Sequence, residues 1–149
     1  MSMQNFQRID AISNAHVGNE FEEISKQFFE TQGLRLTRNF SLPVGVGDLK
    51  KAHRFDLGSN EPPALVECKS HTWTGTGNVP SAKITVWNEA MYYFYLAPKT
   101  YRKIFFALKH SRNDETLVEY YLRNYRHLVP AGVEFWKYCA LEKHGHQIL

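Results

Sequence analysis

Asp56, Glu67 and Lys69 stand in the stretch RFDLGSNEPPALVECKS, residues 54 to 70, inside two short apolar runs where Val, Leu and Phe would be the ordinary choice. Ten residues separate Asp56 from Glu67, and only Cys68 separates Glu67 from Lys69. Burying one unpaired charge is expensive, and two carboxylates at close range cannot both stay ionised without a cation nearby. A divalent cation resolves the conflict. Mg2+ takes oxygen ligands, commonly one or two carboxylates, and completes its shell with water and substrate phosphate. The chemistry these residue types point to is therefore metal-assisted work on a phosphate ester.

Strands must position them. Residues two apart on a strand point the same way. Read as strands over 53 to 58 and 63 to 70, joined by the turn-forming GSNEPP, the two segments set Leu65, Glu67 and Lys69 on one face and Val66 and Cys68 on the other. Phe55 and Leu57 are both expected on the face away from Asp56. Pairing the strands then brings a carboxylate from each, and one ammonium, to a single place. Upstream, residues 16 to 33 repeat Val17, Phe21, Ile24 and Phe28 at helical spacing and stop at Gly33. Glu22 falls on the flank of that stripe with Gly18 and Phe29, while Glu20, Glu23 and Glu30 point to solvent. One turn after Gly18, where another backbone can approach closely, Glu22 is the fourth candidate.

The rest of the chain supplies the frame. LRLTRNFSLPVG reads as extended and TWTGTGNVPS as a loop. Residues 81 to 97 form a helix with Ile84, Trp87, Met91, Phe94 and Tyr95 inward, ended by Pro98. RKIFFALKH, 102 to 110, is a strand covered on both faces. A helix over 114 to 130 carries acids in its first turn and turns Leu117, Tyr120, Tyr121 and Leu128 inward; GVEFWKYCA, 132 to 140, is the last strand, and EKHGHQIL frays. The order α β β β α β α β describes one α/β domain over 1–149, a mixed central β-sheet flanked by α-helices.

Asp56, then Glu67-Cys68-Lys69 on the next strand, with G-x-x-x-E from Gly18 to Glu22 on a preceding helix and another helix following, resemble the PD-(D/E)xK nuclease superfamily. The resemblance covers roughly residues 16 to 110, with Phe55 where the motif's name has Pro, a position that family varies. It implies a restriction-endonuclease-like core. It implies that Asp56 and Glu67 ligate Mg2+, for which Mn2+ substitutes, with the backbone carbonyl of Cys68 as a further ligand. Lys69 would orient or help deprotonate the attacking water, and Glu22 would hold a second metal ion or a metal-bound water. The implied activity is a Mg-dependent DNA endonuclease that leaves 5′-phosphate and 3′-hydroxyl ends. Cutting both strands calls for a second site, most economically in a homodimer or higher homo-oligomer.

Within that resemblance, a sequence-specific enzyme of restriction or homing type stands against a structure-specific nuclease of Holliday junction resolvase type, and the modest charge of +3 leans toward the first. A non-catalytic nucleic-acid-binding domain of the same fold is a rival from another class. So is a phosphohydrolase of small nucleotides, although the chain has no G-K-[ST] phosphate loop. The plainest alternative for Asp56, Glu67 and Lys69 is a cross-strand ion pair on a half-exposed sheet.

At 149 residues the chain can build a continuous core without disulfide or metal staples. A pI near 8.8 permits a polyanionic partner. Cys68 and Cys139 form no C-x-x-C pair, no apolar run approaches the roughly 20 residues of a membrane span, and MSMQNFQRID lacks an apolar signal core, which together read as a cytoplasmic protein. Arg54, Lys83, Arg35 and Arg38 are the candidate DNA contacts, with Lys50, Lys51, Lys99, Arg102 and Lys103 behind them. His71 follows Lys69 by two residues, where it could face the same side near a phosphate, but it reads first as a strand-end histidine that only hydrogen-bonds. NEAMY, Asn88 to Tyr92, is similar to a Q-x-x-x-Y element of the exonuclease branch but has Asn for Gln, and reads as core packing with Tyr92 at the edge. His144 and His146 are assigned no role.

Overall fold

The computed structural model describes residues 11–149, so MSMQNFQRID lies outside the described residues. The elements run α1 (Ala11–Thr31), β1 (Thr37–Val44), β2 (Lys51–Asn60), β3 (Pro63–Lys69), α2 (Ser81–Leu96), β4 (Arg102–Leu108), β5 (Ser111–Arg112), β6 (Glu115–Thr116), α3 (Leu117–Tyr125), a 3-10 turn (Arg126–Leu128), β7 (Val133–Cys139) and β8 (His144–Gln147). Six strands form one mixed sheet in the order β1-β2-β3-β4-β7-β8. β1, β2 and β3 are mutually antiparallel, β3, β4 and β7 parallel, and β8 antiparallel to β7. The fold is α/β, a mixed six-stranded sheet with helices on both faces. No helix among the described residues is long and apolar enough to cross a membrane.

Alternation in the central strand builds both layers at once. Ile104, Phe106 and Leu108 of β4 pack with α1, whereas Phe105 and Ala107 pack with α2 and α3. That is why its apolar run is unbroken. α1 docks through Phe21, Ser25, Phe28 and Phe29, with Val17 and Ile24 only half-buried, so the helix is rotated toward Phe29 relative to the expected stripe. Phe29, 1% exposed, packs edge-on to Phe106 and Trp136. Glu22 lies seven residues, two turns, before Phe29, and the same rotation draws it toward the sheet.

Asp56 sits where two strands change face together. Phe55 stacks on Phe94 in the α2 layer, but Leu57 joins the α1 layer, so the two neighbours of Asp56 do not share a face as simple alternation predicts. The chain through β1 makes the same change, with Leu36 just before the strand in the α1 layer and Leu42 and Val44 in the α2 layer. Asn39 and Asp56 occupy the gap between the pairs Arg38↔Leu57 and Phe40↔Phe55, and Asn39 adopts φ 57°, a left-handed conformation that Asn tolerates better than most residues. Next to the twist, Gly58 lets Phe40 cross its backbone. A Cβ there would lie 2.4 Å from the Phe40 ring. Gly58→Ala is expected to destabilise the fold by about 1–3 kcal/mol, read as a lower urea midpoint at unchanged slope.

Three expectations are corrected at the C-terminal side. Asp114 and Glu115 are not helical: Asn113 and Asp114, both at positive φ, turn the two-residue hairpin β5-β6, and α3 starts at Leu117 behind a Thr116–Glu119 capping box. Tyr95 and Leu128 face outward, 69% and 42% exposed: Tyr95 falls on the outer side of α2, stacked on Tyr92, and Leu128 ends the 3-10 turn that follows α3. EKHGHQIL does not fray. Residues 144–147 add β8 at the sheet edge, where Gly145 approaches Phe28 and Phe106 more closely than any residue with a Cβ comfortably could.

Candidate active site

β2 and β3 pair from Asn60↔Pro63 to Leu57↔Val66. At the next position the side chains take over from the backbone. The Asp56 N–H donates to Glu67 Oε2 at 3.0 Å, and the Cys68 N–H donates to Asp56 Oδ2 at 2.8 Å. Each carboxylate thus binds the main chain of the other's strand, and the face change at Asp56 is what aims its side chain into that gap. Leu65 packs on the α2 side of β3 and Val66 and Cys68 on the α1 side, and strand alternation sets Glu67 with Leu65. Lys69 Nζ lies 3.7 Å from Glu67 Oε1, and both side chains are nearly buried, 13% and 11% exposed. The half-exposed surface pair that would explain these charges more simply does not describe them.

α1 brings the third acid. Glu22 Oε1 accepts from Arg38 of β1 at 2.8 Å, and Arg38 also donates to Asn19 and lies 3.7 Å from Glu23. Arg38 is therefore engaged with α1 rather than extended into solvent, and its Nε is buried without a hydrogen-bond partner. Glu22 in turn acts on Asp56. Burial holds the Asp56 carboxyl above its ordinary value and Glu22 adds to the rise, while the Cys68 N–H and Lys69 pull it back. Glu67 is pushed up to about 7, first by burial and then by the Asp56 charge, against the opposing pull of Lys69. Burial, with the Asp56 charge behind it, drives the Cys68 thiol far up, which suits an inert core thiol whose backbone, not its sulfur, serves the site.

Two carboxyls that hold protons this strongly mark a place short of positive charge. Among the described residues Lys69 is the cation that acts on Asp56 and Glu67, and Arg38 bonds Glu22. One oxygen of Asp56 and one of Glu67 accept from backbone N–H groups, and the second Glu67 oxygen, 3.7 Å from Lys69, would be shared between that ammonium and a cation. Among the described residues no three His, Cys, Asp or Glu side chains form a ready metal-binding group. The donor set nevertheless fits Mg2+, which needs only one or two carboxylates beside water and phosphate and has little use for nitrogen or sulfur.

The remaining candidates separate by what they touch. Arg54 and Lys83 are exposed, and Arg35, 88% exposed, keeps only a 3.5 Å contact with Glu30. Arg102 is clamped by both Glu134 oxygens, and the buried Lys103 donates to the Ala97 carbonyl at the end of α2, so neither is available to a phosphate. Asn88 accepts from Tyr121 Oη at 2.7 Å, a bond inside the core, while Tyr92 is 53% exposed and stacks on Tyr95.

Two partnerships carry no signal in the sequence, because each joins residues 16 apart on different elements: Arg38 with Glu22, and Trp87 with His71. The buried Trp87 indole N–H donates to His71 Nδ1 at 2.8 Å. Burial and the flanking Lys69 push the His71 pKa down to about 4. His71→Ala orphans that indole and is expected to cost about 1–3 kcal/mol of stability, seen as a lower Tm. Comparison with family models, with curated proteins and with solved structures finds no match to this chain.

Proposed function

We propose that this protein is a Mg2+-dependent endonuclease that hydrolyses DNA phosphodiesters, built on a restriction-endonuclease-like core. One observation carries the reading: acids from two adjacent strands meet in a nearly buried gap, each bonded to the other's backbone, with a lysine 3.7 Å from one of them. Asp56 and Glu67 hold the metal ion, and the Cys68 carbonyl is the adjacent oxygen on the same strand. Bound there, Mg2+ supplies Lewis-acid stabilisation of the charge that builds at phosphorus. Lys69 orients the attacking water and offsets negative charge on the phosphate. Glu22, braced by Arg38, orders the water beside the pair. Arg54, Lys83 and Arg35 supply exposed positive charge to the strand backbone.

A homodimer provides the second site for cutting both strands, and the net charge of +3 favours a sequence-specific enzyme over a junction resolvase. The test is incubation of a mixed pool of plasmid and branched DNA with Mg2+ or with EDTA, followed by sequencing of the ends. Mg2+-dependent ends at one defined sequence support the reading. Cuts that track junctions replace it with the resolvase type, turnover of mononucleotides alone with a small-nucleotide phosphohydrolase, and DNA binding without cutting with a non-catalytic domain.

A further inference from the structure

His71 follows the strand that carries Glu67 and Lys69, and its bonded partner is Trp87 rather than an acid. An indole N–H only donates, so the 2.8 Å bond from Trp87 requires a lone pair on His71 Nδ1 and leaves the ring proton on Nε2. Lys69, the last residue of β3, stands two residues before His71 in the segment that follows the strand. Lys83 stands one helical turn before Trp87, the residue that bonds His71, on the same side of α2. Burial, with Lys69 and Lys83 adding to it, lowers the imidazole pKa, so the neutral ring bonded by Trp87 presents Nε2–H as a donor. The ring is half-buried, with an edge open to solvent. A ring N–H donor with lysines on both neighbouring elements matches an anion with several acceptor oxygens.

Resting on the nuclease reading above, we propose that Lys69, the Nε2–H of His71 and Lys83 form a binding site for a phosphodiester of the nucleic acid strand, with His71 positioning that strand for the Asp56–Glu67 pair. His71 is a positioning residue, and the ligand chemistry is a phosphodiester monoanion.

Two substitutions separate this role from a structural one. His71→Asn keeps an oxygen where Nδ1 accepts from Trp87 but lacks the distal donor; His71→Gln carries an amide N–H to the place of Nε2–H but gives up the near acceptor. The measurements are Tm, kcat and KM for cleavage of a duplex with Mg2+, and binding of a fluorescein-labelled duplex in EDTA by anisotropy. The expected result is that His71→Asn keeps its Tm yet loses about 10- to 100-fold in kcat/KM and weakens metal-free binding, whereas His71→Gln stays within a few-fold of wild type. Wild-type cleavage and binding in His71→Asn, with loss only in His71→Gln, would overturn the proposal and leave the nuclease reading standing. A wild-type chain that neither cuts nor binds DNA would overturn both.

Discussion

Asp56→Asn is expected to lose Mg2+-dependent DNA cleavage by about 10³-fold or more while folding at least as stably as the wild-type chain. The loss follows from metal-ion stabilisation of transition-state charge, worth several kcal/mol, with each 1.4 kcal/mol or so amounting to a factor of ten in rate. The stability follows from the site itself. An Asn oxygen still accepts from the Cys68 N–H, now at 2.8 Å from Asp56 Oδ2, while the buried charge beside Glu22 and Glu67 disappears. A residue kept for structure behaves in the opposite way, losing stability when altered and leaving chemistry intact. Cleavage kinetics and urea unfolding of the same preparation check both halves, and unchanged cutting by Asp56→Asn would remove the site assignment.

Glu67→Gln is expected to change how stability depends on pH and on Mg2+. Glu67 has its folded-state pKa raised from 4.5 to about 7. A carboxyl raised in this way contributes stability that is fully present below about pH 4.5 and is lost as pH climbs through about 7, because the folded state binds the proton more tightly than the unfolded one. The slope is about 1.4 kcal/mol per pH unit across that window. Relative to wild type, Glu67→Gln should therefore gain up to about 3 kcal/mol between pH 4.5 and pH 8. His53, His71 and His110, held neutral by burial, work in the opposite direction, since their contribution is lost as pH falls below 6.5. Taking the difference between the two chains removes them. Saturating Mg2+ at pH 8 should restore the wild-type chain by about 2.7 kcal/mol at a hundredfold excess over Kd and leave Glu67→Gln nearly unmoved. Thermal melts from pH 4.5 to 8, with Mg2+ and with EDTA, measure this; parallel curves for the two chains would show that Glu67 carries no excess proton affinity.

The elements were legible where one periodicity ran without interruption. α2 falls on Ser81–Leu96 because Ile84, Trp87, Met91 and Phe94 repeat at helical spacing ahead of Pro98, and β4 falls on Arg102–Leu108 because both of its faces are covered. Legibility failed where a short-range device replaced periodicity. The hairpin at Asn113 and Asp114 depends on two left-handed residues, and β8 depends on Gly145 fitting over Phe28 and Phe106. Neither pattern differs on paper from an acidic helix start or a polar tail.

The same division runs through the site. Types and spacing on neighbouring strands were enough to bring Asp56, Glu67 and Lys69 into one group, since alternation and pairing are properties of the local chain. Everything that gives the group its character came from elements distant in sequence. The twist shared by Asn39 and Asp56 turns the aspartate into the gap, the burial of Phe29 rotates Glu22 inward, Arg38 crosses from β1 to brace it, and Trp87 selects the His71 tautomer. Proton affinity and side-chain orientation are set by the dielectric and the partners that packing creates, and those exist only once separate elements are folded against each other.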